Sequence, residues 1–207
     1  MSIYPVNFWL LCASTLLFMT GFNIIIPELN DYITSLGGAD YKGLVITLFT
    51  ITAGVSRPFS GKLADTIGRK PVVLVGGLVS LIISLFYPWV LSVAGFLVLR
   101  FLHGFCTGFQ PTGATAMVAD IIPQHRRGEA MGIFGITISV GMGVGQSLGS
   151  PIALNWGVEA LFYAGALITL ISVALLPGVS ETLDQPKKFK FSMLALKKDE
   201  IFERSVW

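Results

Sequence analysis

Long apolar runs separated by short polar links are the dominant pattern of this 207-residue chain. A membrane-spanning helix needs about 20 mostly apolar residues, at about 1.5 Å of rise per residue. Six runs meet or approach that length. They cover residues 8–29, 44–64, 71–90, 94–121, 130–154 and 160–176. The pattern therefore predicts an all-α transmembrane domain at residues 1–178, in which successive helices pack as antiparallel hairpins.

The composition indicates that lipid surrounds much of this surface. Hydrophobic residues make up 53% of the chain and charged residues 13%, whereas soluble domains carry about 25% charged residues. The mean hydropathy is +0.74. The basic residues form no stripe with interleaved aromatics, so we expect no nucleic-acid partner. Cys12 and Cys106 lie inside apolar runs and indicate neither a disulfide framework nor a metal site, and we expect no cofactor.

The uneven distribution of lysine and arginine among the links predicts the orientation in the membrane. The links after the second and fourth runs and the segment after the sixth run are basic. The intervening links offer one lysine, Lys42, against Glu28, Asp31 and Asp40. The basic set is Lys62, Arg69, Lys70, Arg126, Arg127, Lys187, Lys188, Lys190, Lys197, Lys198 and Arg204. We expect a multi-pass protein of the plasma membrane, such as a bacterial inner membrane, with both termini in the cytoplasm.

The residues after the sixth run, 179–207, differ in composition from the spans. They are rich in lysine, with Phe189, Phe191, Met193, Leu194 and Leu196 interspersed. One interpretation is a solvated linker to a following segment, because such charge runs usually lie in water. The other is an amphipathic segment on the inner leaflet.

A polar turn at residues 61–71 joins the second and third runs and reads G-K-L-A-D-T-I-G-R-K-P. Its two glycines permit close backbone approach or a positive φ. Asp65 can accept hydrogen bonds from a helix N-terminus or from a cation. Arg69 and Lys70 can anchor the turn at an anionic leaflet, and Pro71 suits the first turn of a helix.

This turn resembles the G-x-L-A-D-x-x-G-R-K signature of the major facilitator superfamily, with Thr66 where many members have arginine. Asp120, the acid near the end of the fourth run, resembles the acid that contacts this turn in members of the family. The resemblance implies two inverted three-helix repeats that form the N-terminal half of a twelve-helix transporter. It also implies a set of conformational-switch residues, namely Gly61, Asp65, Gly68, Arg69 and Asp120. Within this set, the resemblance implies that Asp65, Arg69 and Asp120 form one network.

Arg100 is the most informative polar residue within the runs. It lies about eight residues into the fourth run, roughly 12 Å below the outer surface. Inserting such a charge costs about 2.5–3.5 kcal/mol, so it should face protein or water rather than lipid. His103, Thr107 and Gln110 fall with it inside an arc of about 80°. We therefore expect this face to line an aqueous pathway.

The fourth run also resembles the family's helix signature L-x-x-x-R-x-x-x-G, with His103 where glutamine is common. In the family, that arginine is linked to proton coupling in many antiporters. The alternative for Arg100 is a tie between helices by hydrogen bonds. The pKa range of histidine suits a proton relay at His103, and a helix-bridging histidine is the alternative.

Three further polar residues lie at membrane depth, and each has two interpretations. Arg57 either lines the inner end of the pathway or extends to the headgroups. Asn23 and Gln146 either line the pathway or form hydrogen bonds between helices.

The fifth run is rich in glycine. Gly141, Gly145 and Gly149 form a stripe that permits close helix packing. The run partly resembles the family's antiporter signature and departs from it at Gln146 and Ser150. Residues 145–149 also fit the G-x-S-x-G pattern of serine hydrolases, but that pattern requires a strand-to-helix elbow. We therefore expect no enzyme.

The resemblance covers nearly all of this chain but half of the usual family member. It implies secondary active transport of a small solute, and we expect proton-coupled efflux by alternating access. The alternatives are uptake of a sugar or other metabolite by proton symport, and a non-transporting membrane receptor or assembly partner. The expected partners are a small-molecule substrate, protons, the lipid bilayer and a second six-helix half. That half is either a missing C-terminal half or another copy of this chain.

Overall fold

A computed structural model describes residues 4–190 and 193, and these residues form seven α-helices. The helices are α1 (Val6–Asn23), α2 (Leu29–Ser35), α3 (Lys42–Ile67), α4 (Arg69–Phe86), α5 (Val93–Ile121), α6 (Arg127–Trp156) and α7 (Val158–Leu175). Together with short 3-10 turns they make six spans that are long and apolar enough to cross a membrane, as predicted. Most of the basic tail, residues 191–192 and 194–207, lies outside the described residues.

The first span is longer than the apolar pattern predicts. The run ends near residue 29, but a 3-10 turn at Ile26–Glu28 leads directly into α2, and the span continues to Ser35. Pro27 stands at the start of the 3-10 turn, where its missing N–H removes no helical hydrogen bond. Leu29 and Ile33 are buried and hold α2 against the bundle. Tertiary burial of one face therefore extends this helix beyond the apolar run.

The helices pack in a pattern that repeats itself about an internal two-fold relation. α3 packs against α5 as α6 packs against α1, and α4 packs against α5 as α7 packs against α1. α4 and α7 also pack against each other. Helices α1, α3 and α4 therefore correspond to α5, α6 and α7. Successive spans reverse direction, so the two three-helix units are inverted, as predicted.

Close approaches between helices occur at several glycines. A Cβ atom at Gly145 of α6 would lie 2.6 Å from the carbonyl oxygen of Thr20 on α1. Gly141 and Gly149, one turn to either side of Gly145, meet the carbonyl oxygens of Leu16 in α1 and of Ile24 just after it. On α5, Gly104 and Gly108 meet α3 in the same way. The glycine stripe predicted in the fifth run thus lies in a close-packed seam between α1 and α6. The two-fold relation relates this seam to the one between α5 and α3.

Burial differs strongly among the spans. In the most apolar part of the first span 67% of residues are buried, against 28% in the α3 span and 17% in the α6 span. α3 and α6 therefore leave the largest share of their surface uncovered by the rest of the described chain. Polar residues of α3 and α5 line cavities beside this surface.

Candidate functional site

The turn between α3 and α4 consists of one residue, Gly68. Its φ of 120° and ψ of 154° belong to a region that only glycine adopts without strain. Gly61 differs, because it lies inside α3 and a Cβ atom there would meet nothing within 4 Å. Among the described residues Gly61 shows neither a positive φ nor a close approach, and its place in the switch set stays a prediction.

Arg69, the first residue of α4, is the centre of an ion network at the end of the bundle that carries the basic turns, which we call the inner end after the predicted orientation, the opposite end being the outer one. Its Nη2 atom lies 3.2 Å from Oδ1 of Asp65, and its Nε atom lies 3.0 Å from Oδ2 of Asp120 at the end of α5. Its Nη1 atom donates to the carbonyl oxygen of Ala64 at 2.6 Å. One guanidinium thus joins α3, α4 and α5 through charge-assisted hydrogen bonds. The expected role of this network in conformational switching stays a prediction.

Glu181 belongs to the same inner cluster, and the sequence interpretation missed it. Its carboxylate accepts hydrogen bonds of 3.0 Å from the backbone nitrogens of Arg69 and Lys70, at the first turn of α4. It also accepts from the backbone nitrogens of Thr182 and Leu183 at 2.8 and 3.0 Å. Burial alone would raise the pKa of Glu181, but the backbone donors outweigh burial and lower it.

The segment that follows α7 therefore packs onto the inner turn. The hydroxyl of Thr182 donates to Oδ2 of Asp120 at 2.8 Å, the same oxygen that accepts from Arg69. The backbone nitrogen of Lys187 donates to the carbonyl oxygen of Thr66 at 2.8 Å. The available signal for Glu181 was an acidic residue just after the sixth run, on the side predicted to carry the basic turn.

Arg100 is buried inside the bundle, with 2% of its surface exposed. Its Nε atom donates to the carbonyl oxygen of Val45 and its Nη1 atom to the hydroxyl of Tyr87, each at 3.3 Å. Its guanidinium also lies 4.8 Å from the centre of the Phe49 ring. All these partners are neutral, and no described carboxylate lies within ion-pair distance of Arg100.

His103 lies one turn further along α5 and is completely buried. Its Nδ1 atom is 3.1 Å from the hydroxyl of Tyr87, and its Nε2 atom is 3.2 Å from the hydroxyl of Ser80 on α4. A chain of hydrogen bonds thus runs from Ser80 through His103 and Tyr87 to Arg100. The sequence interpretation named neither Ser80 nor Tyr87, although a buried arginine and histidine require polar partners.

The polar residues of α5 do not share one environment, contrary to the expectation of a single face that lines a pathway. Arg100 and Thr107 each border a cavity, but Arg100 is as buried as His103 and Gln110, and Thr107 is partly exposed. The Nε2 atom of Gln110 donates to the hydroxyl of Thr15 on α1 at 3.2 Å. An arc of 80° on a helix is wide enough to contact several neighbours, so the shared face did not imply shared exposure.

Asn23 and Gln146 lie along the seam between α1 and α6. Asn23 is buried, and its Nδ2 atom donates to the carbonyl oxygen of Met19 at 2.8 Å. Gln146 is exposed, and its Nε2 atom lies 3.4 Å from Oδ1 of Asn23. The geometry thus includes the hydrogen bond between helices that one interpretation expected, with Gln146 on the exposed side of the seam.

Arg57 is exposed and lines an inner cavity of about 520 Å³ between α3, α5 and α6. Hydroxyl groups of α5 face the same space. The residues that line this inner cavity include Arg57, Thr107, Thr112, Thr115, Ala119 and Met131. Arg57 therefore borders the same concave surface as Thr107.

An outer cavity of about 230 Å³ lies between the first span, α3 and α5. Arg100 contributes the charged group in its lining, and the other lining residues are apolar or neutral polar. They include Ile26, Asn30, Ile46, Phe49, Thr50 and Arg100. The two cavities place one arginine each at different depths of the bundle.

Both the sequence and the fold of this chain resemble those of known proteins. The family model described as Major Facilitator Superfamily matches residues 11–205. The multi-drug resistance efflux pump PmrA of Streptococcus pneumoniae is 30% identical over 181 residues, which cover 84% of this chain and 45% of PmrA. The multidrug resistance protein MdtG of Serratia proteamaculans is 33% identical over 178 residues, which cover 81% of this chain and 42% of MdtG.

An uncharacterized MFS-type transporter of Methanocaldococcus jannaschii is 30% identical over 178 residues, which cover 84% of this chain and 46% of that protein. The chain thus spans less than half the length of these relatives. The crystal structure of the human organic anion transporter MFSD10 matches the fold with a TM-score of 0.77 at 22% identity. That match covers 95% of this chain and 53% of the human one.

Proposed function

The chain belongs to the Major Facilitator Superfamily, and from this premise we propose that it forms one wall of a proton-coupled exporter that works by alternating access. The family consists of transporters and not of enzymes, and the chain is a multi-pass membrane protein with six spans. The observation that carries the proposal is the weakly buried surface of α3 and α6, beside which Arg57 and Arg100 line cavities.

The direction of transport is proposed from the relatives. PmrA and MdtG are named as multidrug efflux or resistance proteins, which supports export of a small solute. Uptake by proton symport remains the alternative. For coupling we assign Arg100, because a guanidinium in a poorly solvated cavity lowers the proton affinity of any carboxylate that approaches it. A carboxyl group that enters the outer cavity would then lose its proton more readily, and one that leaves the cavity would bind a proton more readily.

The inner cluster is proposed as the conformational switch. Arg69 and Asp120 join α4 to α5, and Glu181 ties the segment after α7 to the start of α4. Ion pairs at one end of a pathway stabilise the state in which that end is arranged as observed, and their loss shifts the population between states. Asp65, Gly61 and Gly68 complete the proposed switch set.

The remaining parts of the proposal concern the membrane and the second wall. The basic inner turns support cytoplasmic termini and a plasma-membrane location, such as a bacterial inner membrane. The chain spans 42–46% of the relatives, which supports a second six-helix half opposite the cavities. That half is either a C-terminal half of the same protein or another copy of this chain.

Coupled flux in proteoliposomes tests this function. The protein is purified from its host membranes by a tag at the N-terminus of this chain and reconstituted with a pH-sensitive dye in the lumen. Two fluorescent probes of opposite charge, ethidium and carboxyfluorescein, are then offered under an imposed pH gradient. We expect one probe to move against a counterflow of protons, and Arg100→Gln to abolish the coupling at unchanged expression. Undiminished coupled flux in Arg100→Gln would refute the coupling role.

A further inference from the structure

Charged side chains are scarce at membrane depth in the described part of the chain, and the two that line the cavities are both positive. Arg57 lines the inner cavity and Arg100 the outer cavity. Glu28 stands at the outer end of the first span, but its Oε1 atom accepts a hydrogen bond of 2.6 Å from Ser150 on α6. The lining of the two cavities therefore favours negative charge.

Arg100 has spare capacity for an anion. Its two recorded hydrogen bonds use Nε and Nη1 and go to neutral oxygens, whereas a guanidinium has five N–H groups. A charge that is 98% buried without a carboxylate partner is costly to keep in the folded chain. An anion in the adjacent outer cavity would supply the missing negative charge by a charge-assisted hydrogen bond.

The guanidinium is also held in place before any ligand arrives. Val45 and Tyr87 orient it, Phe49 covers it, and Tyr87 is itself held by His103. Because its position is already determined, less conformational entropy is lost on binding than with a mobile surface arginine.

The lining of the outer cavity points to the kind of anion. Ile26, Ile46 and Phe49 offer apolar surface, while Asn30 and Thr50 offer neutral polar groups. A volume of about 230 Å³ holds a small organic group rather than a large polycyclic one. The surroundings thus suit a compact molecule with an apolar body and one anionic end.

We propose that the outer cavity is a binding subsite for a small organic anion, whose carboxylate or equivalent group pairs with Arg100. This inference rests on the proposed transport function and specifies the substrate class of the same wall. The phosphate of an anionic lipid offers the same chemistry, and the experiment separates it from a free solute.

The test measures binding to the chain in nanodiscs by saturation-transfer NMR, with benzoate as the anionic probe, benzamide as its neutral isostere and benzylamine as a cation. In phosphatidylcholine nanodiscs we expect benzoate to bind about tenfold more tightly than benzamide, the equivalent of one charge-assisted hydrogen bond. Benzylamine should not bind. Equal binding of benzoate and benzamide would overturn the proposal.

Matched variants locate the effect. Arg100→Gln should remove the preference for benzoate, whereas Arg57→Gln removes the same charge from the inner cavity and should keep it. Ile46→Trp enlarges a side chain in the lining of the outer cavity and retains Arg100, and it should weaken the binding of both probes. If Arg100→Gln does not fold, Ile46→Trp and the isostere comparison still decide. Loss of the benzoate preference in Arg57→Gln rather than in Arg100→Gln would contradict the assignment.

Three further outcomes separate this proposal from related ones. The first concerns lipid headgroups. If phosphatidylglycerol nanodiscs abolish benzoate binding both in the unchanged chain and in Arg57→Gln, the site belongs to lipid headgroups. That result would overturn binding of a free solute. Benzoate binding that persists while neither fluorescent probe is transported would support the subsite and count against the proposed exporter. Coupled ethidium flux without benzoate binding would support the proposed exporter and overturn the anion subsite.

Discussion

The carboxylate of Glu181 lies 3.0 Å from the backbone nitrogen of Arg69, at the first turn of α4. The first N–H groups of a helix have no partner within the helix and carry partial positive charge. Glu181 supplies the acceptor from a segment more than a hundred residues away along the chain. The start of α4 is therefore stabilised by tertiary structure, beside the same Arg69 side chain that pairs with Asp65 and Asp120.

Replacing Glu181 by glutamine should destabilise the bundle by about 1 kcal/mol at neutral pH, since a charged cap at a helix N-terminus is lost. The pKa of Glu181 is lowered in the folded chain. Its contribution is therefore fully present above the unfolded value of about 4.3 and is lost as the pH falls through the lower folded value. Thermal unfolding followed by circular dichroism between pH 7 and pH 3 checks this.

Asp184→Asn is the matched control for that measurement, because Asp184 is an exposed acid of the same segment. The stability difference between the wild type and Glu181→Gln should shrink at acidic pH, while the difference for Asp184→Asn should stay small throughout. A constant difference for Glu181→Gln across the pH range would mean that ionisation of Glu181 does not stabilise α4.

Asp65→Asn should slow the transport cycle more than it changes substrate affinity, because Asp65 pairs with Arg69 and lines neither the inner nor the outer cavity. A coupling energy of the usual size changes a conformational population about tenfold, and we expect turnover to fall by that order. Initial rates over a range of probe concentrations in proteoliposomes separate the two parameters. Arg126→Gln, which breaks the separate ion pair with Glu129, serves as control; a pure affinity defect in Asp65→Asn would contradict the switch assignment.

Gly145→Ala should destabilise the bundle by about 1–3 kcal/mol, the usual cost of an added methyl group in a close-packed contact. The new Cβ atom would lie 2.6 Å from the carbonyl oxygen of Thr20, which cannot move without displacing α1. Gly143→Ala is the control in the same helix, since nothing lies within 4 Å of a Cβ atom there. Thermal unfolding in detergent should separate the two variants, and equal stability would refute the seam.

His103→Ala should lower stability by about 1–3 kcal/mol, because Ser80 and Tyr87 each lose a buried hydrogen-bond partner. His103→Gln should recover most of this loss, because an amide offers both a donor and an acceptor. If His103 only bridges helices, the pH profile of transport in His103→Gln should match that of the wild type. A shifted profile at unchanged stability would instead support a proton relay.

The spans and the inner turn were accessible from the sequence because their causes are local. A run of about 20 apolar residues has no other favourable environment than a bilayer, and the paired basic links predict its orientation. The Gly61–Lys70 pattern carried the family resemblance in adjacent residues. The end of the first span was not accessible, since burial of Leu29 and Ile33 against other helices extends it past Pro27.

The sequence by itself determined that this chain is a six-span membrane protein of one transporter family, because composition, charge bias and a contiguous motif act over short distances. Only the tertiary structure decided which polar residues meet. Arg100, His103, Thr107 and Gln110 share a helix face, yet the helices around α5 bury all of them except Thr107, while Arg100 and Thr107 border cavities. Glu181 reaches Arg69 only because the chain returns to the inner end after α7. Helical periodicity does not predict such contacts between distant segments.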